Sequence, residues 1–124
     1  MSRIGLLRFA MIVFGVIFLL VYPLAVVWPS GWAWHAGAPY ESDYFMMIVG
    51  VYATLGVFLI LASRDPAANR SLIMFTIVSS LVHAVIMAYQ SLQMRDHMGH
   101  LYGDVPGLTA VALVLYLLRP SATA

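Results

Sequence analysis

The chain has 124 residues, of which 63% are hydrophobic and 9% charged, whereas a soluble domain carries about 25% charged residues. That much apolar surface cannot be hidden from water by a polar shell, so lipid has to cover most of the exterior. Lysine is absent, arginine supplies all six positive charges, and the net charge is +1 with no basic tract of the kind that binds nucleic acid. The absence of cysteine excludes a disulfide framework, a thiolate metal site and the membrane thiol oxidoreductases built on small four-helix bundles.

A helix needs roughly 20 apolar residues to cross a hydrocarbon core of about 30 Å, and Phe9 to Trp28 supplies the first such run without a charge. Arg3 and Arg8 give it a basic start, but a secretory apolar region has only about 7 to 15 residues, so this run reads as a retained anchor. Pro23 lies in its last third and removes one backbone donor, which predicts a bend. Tyr44 to Leu61 and Leu72 to Tyr89 are the second and third apolar segments. Asp65-Pro66 reads as an N-cap followed by a first-turn proline, which starts the third helix at residue 66, before the apolar run. The fourth segment, Val105 to Leu118, has 14 residues, or about 21 Å of helix. It reaches across a bilayer only if the residues around His100 to Asp104 also enter the membrane.

Arg3, Arg8, Arg64, Arg70 and Arg119 fall at the termini and in the second loop, leaving Arg95 alone on the other side. The positive-inside rule then places both termini and the loop from Ser63 to Arg70 in the cytoplasm. The first loop, with Trp28, Trp32, Trp34, Tyr40 and Tyr44, becomes an external aromatic belt beside Glu41 and Asp43. The expected fold is therefore all-α: an integral membrane four-helix bundle with cytoplasmic N- and C-termini, one domain over 1–124, and helices at about 9–28, 44–61, 66–90 and 105–118.

At 100° per residue, Asn69, Thr76, Ser79, Ser80, His83, Met87 and Gln90 share one face of the third helix. Met74, Val78, Leu81, Val85 and Ala88 cover the other. On the second helix, Asp43, Met47, Gly50 and Thr54 form a lesser stripe whose small residues predict close packing against the third. Serine, threonine and histidine on such a stripe serve as hydrogen-bonding glue between helices, worth about 0.6 to 2 kcal/mol per bond. An ionisable residue at membrane depth also marks a functional site by default. His83 is that residue, with Ser79, Ser80 and Gln90 as cofactor-binding candidates beside it; a neutral imidazole can ligate metal or haem, relay protons, or hydrogen-bond a quinone carbonyl.

Between the third and fourth helices the sequence reads RDHMGHLYGDVP from Arg95 to Pro106. In a helix His97, His100 and Asp104 would share a face and, with His83, offer four ligands for Zn or Cu. Gly99, Gly103 and Pro106 argue against an unbroken helix there, and the competing reading has Asp104 capping the fourth helix with Pro106 in its first turn.

The stretch YATLGVFLILASRDPAANRSLIMFTIVSSLVHAVIMAYQ, followed by HMGHLYGDVPGL, resembles an uncharacterised bacterial family of four-helix membrane proteins known only as a domain of unknown function. The likeness spans the second to fourth helices and includes Arg64, Pro66, Arg70, His83, His97, Gly99, His100, Gly103, Asp104 and Pro106. It implies the fold and a multi-pass location in a bacterial inner membrane, and it brings no activity. In size and helix count the chain is also similar to DoxX-like proteins. Small multidrug transporters share the outline but need a carboxylate in the first helix, and none lies between Arg8 and Glu41.

With no catalytic constellation in the sequence, the first expectation is a non-enzymatic accessory or scaffold subunit, partnered by the bilayer and by a membrane-protein complex or by copies of itself, with no cofactor. The alternative is a metal-, haem- or quinone-binding protein using His83 with His97, His100 and Asp104. A third reading is an oligomeric proton or ion pathway along the polar stripe.

Overall fold

The computed structural model describes residues 2–28, 41–93 and 103–120. They form α1 (Arg3–Leu19), α2 (Val21–Val27), α3 (Asp43–Ala62), a 3-10 turn (Pro66–Asn69) running directly into α4 (Arg70–Gln93), and α5 (Asp104–Leu118), with no strand among the described residues. Two helices are long and apolar enough to cross a membrane: α3, and the 28 residues from Pro66 to Gln93, whose most apolar 18-residue stretches have mean hydropathies of 2.4 and 2.1. α1 and α2 together would make a third span if counted as one bent segment.

Local chemistry sets the helix ends. The Ser2 hydroxyl accepts from the Gly5 amide at 3.1 Å, and the Ser42 hydroxyl does the same for Phe45 at 3.2 Å. Each satisfies a first-turn donor that has no partner within the helix. Asp65 caps the 3-10 turn by accepting from Ala68 at 3.3 Å, with Pro66 as the first residue of the turn. This is the role read from the Asp-Pro pair. At the start of α5 the cap position falls on Gly103, so Asp104 is the first helical residue and not the cap; the Asp104 side chain is outside the described set.

The predicted bend is a break. α1 ends at Leu19 and α2 leaves it at 60°. The Leu20 amide is shared between the carbonyls of Val16 and Ile17, at 3.1 and 3.0 Å. Three residues on, Pro23 has no amide to return to the Leu19 carbonyl, and its ring crowds that same group, so the ladder fails there.

α1 packs chiefly on α3, and α4 chiefly on α5; contacts of α1 with α5 and of α3 with α4 join the two pairs. The first pair is drawn together by glycine. A Cβ on Gly15 would lie 2.7 Å from the Gly56 carbonyl oxygen and 2.7 Å from Ile60 Cγ1, while a Cβ on Gly56 would run into the Gly15 carbonyl. Two backbones touch here because neither residue has a side chain, the usual device for close helix approach in lipid. The expectation that Gly50 would play this part against α4 is corrected: a Cβ there meets nothing within 4 Å, Met47 is 65% exposed, and Thr54 is exposed with its hydroxyl donating to the Gly50 carbonyl at 2.8 Å.

Leu7, Met11, Phe18, Leu59, Ile73, Ile77, Val111 and Leu115 are the larger members of one core shared by α1, α3, α4 and α5. Arg3 closes one end of it, donating to the carbonyls of Leu117 and Arg119 at 3.0 and 3.2 Å. The first turn of α1 therefore lies beside the last turn of α5, satisfying carbonyls that the α5 C-terminus leaves open.

Gly56→Val should destabilise the protein by about 1–3 kcal/mol through overpacking, whereas Gly50→Ala should stay within about 0.5 kcal/mol of the parent. Equilibrium unfolding in mixed micelles separates the two; equal effects would mean that the Gly15–Gly56 approach does not hold α1 on α3.

Candidate functional site

Tyr52 is the tenth of the 20 residues of α3, at the middle of an apolar helix. Its hydroxyl lies 2.5 Å from His83 Nδ1 on α4, and both side chains are half-buried. The rings are tilted at 53° with centroids 5.7 Å apart. On its other side Tyr52 meets Phe18 of α1 edge-on, at 5.1 Å and 62°. Phe18 sits just before the α1–α2 break, so Phe18, Tyr52 and His83 run across three helices at one level.

Either partner can be the donor. If the phenol donates to Nδ1, the imidazole is the Nε2–H tautomer and presents a donor suited to a carbonyl; if Nδ1–H donates to the phenol oxygen, Nε2 keeps the lone pair that a metal requires. In both cases the tyrosine fixes the ring's orientation, as outer partners do for ligating histidines.

The rest of the stripe on α4 is disposed as the sequence indicates. Thr76 and Ser80 are buried, Ser79, His83 and Met87 are half-buried, and Met74, Val78, Leu81 and Val85 are exposed; Gln90 at the far end is exposed as well. Among the described residues, the hydroxyl bonds of this stripe fall within the helix itself. Thr76 donates to the Leu72 carbonyl at 2.8 Å, Ser79 to Thr76 at 3.4 Å and Ser91 to Met87 at 2.7 Å, all within α4. Thr76 and Ser80 contribute small volume at a packed surface, and the cross-helix bond is made by His83. Ser79 and Ser80 lie within one turn of His83, whereas Gln90 is two turns away.

His97 and His100 lie outside the described residues, as does the Asp104 side chain. Among the described residues no three histidine, aspartate or glutamate side chains come together. A shallow apolar groove of about 270 Å³ runs down α3 along Tyr44, Met47, Ile48 and Val51 and ends at Tyr52. Tyr52 is the site residue that sequence reasoning missed. The signal was its position, a hydroxyl-bearing ring at mid-helix within an apolar run, level with the one histidine of the third segment.

An all-helical chain with two such apolar helices belongs to the class of membrane proteins. Within that class it is a member of the family of unknown function DUF6632, whose model matches residues 1–123. No curated protein and no solved structure matches it.

Tyr52→Phe keeps the ring contact with Phe18 and deletes the hydrogen bond, so it should cost about 0.6–1.7 kcal/mol. A double-mutant cycle with His83→Ala should recover that energy as coupling between the two sites. Purely additive single effects would show that the pair is adjacent without interacting.

Proposed function

We propose that the protein is a four-pass membrane subunit without catalytic activity of its own, which docks onto another membrane protein through the N-terminal half of α3. One observation carries this: from Asp43 to Val51 no residue of α3 is buried, and Tyr44, Met47 and Val51 are 81%, 65% and 65% exposed. In α3 only Gly56, Leu59 and Ala62 are buried, all in its second half. The helix is seated on α1 through its second half, while most side chains of its first half are exposed.

The topology in this reading has four crossings with both termini in the cytoplasm of a bacterial cell. The Arg3 bridge to the end of α5 supports a common side for the termini. α1 has 17 residues and α2 has 7 at 60° to it, which gives a rise of about 31 Å if α1 stands upright, the thickness of the hydrocarbon core. α5, with 15 residues, rises about 22 Å and needs the segment before it to complete the crossing.

A photo-crosslinking residue at position 51 should capture a protein band in native membranes, while the same residue at position 85, on the outward face of α4, should capture mainly lipid. Lipid adducts alone at both positions, with the purified protein running as a single chain in mild detergent, would remove the docking reading.

The Tyr52–His83 pair favours a second reading, in which that site holds a quinone, haem or metal. Under it the as-isolated protein carries an absorbing or extractable ligand that His83→Ala abolishes. A colourless, metal-free and quinone-free preparation rules it out.

A further inference from the structure

The two ends of the helices differ in sign. Glu41 and Asp43 stand at the start of α3, whereas five of the six arginines belong to the end where α1 starts and α5 stops. Two of those five are engaged: Arg3 holds the last carbonyls of α5, and Arg119 donates to the Tyr116 carbonyl at 2.6 Å and stacks on its ring at 3.8 Å. The guanidinium groups of the other three, Arg8, Arg64 and Arg70, make no hydrogen bond or ion pair with any described residue. Asp65 is the one described carboxylate at that end; it is exposed, caps the 3-10 turn by accepting from the Ala68 amide, and forms no ion pair with these arginines among the described residues.

The fold brings the elements that carry these three residues to one end of the helices. Arg64 and Arg70 flank the 3-10 turn, whose Pro66 is buried, and that turn packs on α1, the helix that carries Arg8. Arg8 and Arg64 are exposed and Arg70 is half-buried. Close to them in the chain are exposed apolar side chains: Phe9 at 60%, the residue after Arg8, and Leu61 at 48%, three residues before Arg64. Unpaired guanidinium groups at the rim of an apolar surface match a phosphate joined to acyl chains. Arginine binds phosphate through paired N–H donors, and basic pockets between helices recruit anionic lipid headgroups.

We propose that Arg8, Arg64 and Arg70 form a binding site for a phospholipid with a net-negative headgroup, its phosphate held by the guanidinium groups and its chains lying on Phe9 and Leu61. The inference rests on the membrane crossing of α3 and α4 and is independent of whether a protein docks on α3.

Native mass spectrometry of the full chain in detergent, titrated with phosphatidylglycerol or phosphatidylcholine of the same acyl chains, tests this directly. At physiological ionic strength the wild type should retain phosphatidylglycerol at least about tenfold better, with the preference falling as salt rises. Equal retention of the two lipids by the wild type overturns the proposal without recourse to any variant. R8Q/R64Q/R70Q should lose the preference, and R8K/R64K/R70K, which keeps the charge that sets topology, should keep part of it. Full preference in the glutamine variant, with its helicity intact by circular dichroism, also overturns it. Neither result bears on crosslinking at position 51, so the failure of one reading is distinguishable from the failure of the other.

Discussion

Where Gly15 faces Gly56, two helix backbones lie against each other with no side chain between them, and this contact determines how the rest of the molecule is arranged. Lipid gives helices no hydrophobic reason to associate, because acyl chains are as apolar as leucine. Close packing and a few polar bonds have to do it instead. With α1 this near to α3, Phe18 comes edge-on to Tyr52, and Tyr52 is held at the level where His83 arrives on α4. The candidate site is thus a consequence of a helix crossing one turn away from it.

The same economy governs the polar groups. Every buried hydroxyl or imidazole in an apolar medium needs a partner. Thr76, Ser79 and Ser91 find theirs in their own helix, and His83 finds one in a neighbouring helix. Among the described residues, that bond ties α3 to α4, and the Arg3 bonds to the last carbonyls of α5 tie α1 to the same second pair.

Features set by local chemistry were legible in the sequence. The apolar lengths located the helices, Asp65-Pro66 marked the turn before α4, and Pro23 marked the break after Leu19, because caps and proline act within one turn of where they stand. The exposed and buried faces of α4 followed from helical periodicity. Pairing between helices did not follow. Gly15, Gly50 and Gly56 look alike in a list of residues, and which two of them meet depends on how whole helices are placed. Tyr52 escaped notice for the same reason: in an apolar run an aromatic ring reads as filling, and its hydroxyl matters only once His83 is known to face it. His97 and His100 fall outside the described residues, so a ligand set including them stands as the sequence left it.

The strong contacts link α1 with α3 and α4 with α5, joined by the turn from Ser63 to Asn69. Each pair is made of apolar helical segments that follow one another in the chain, so synthesis delivers them in the order in which they pack. The glycine crossing needs no residue beyond α3. The histidine bond must wait for the second pair. The order of the chain thus matches the order of the contacts, with the Tyr52–His83 bond closing between the two pairs.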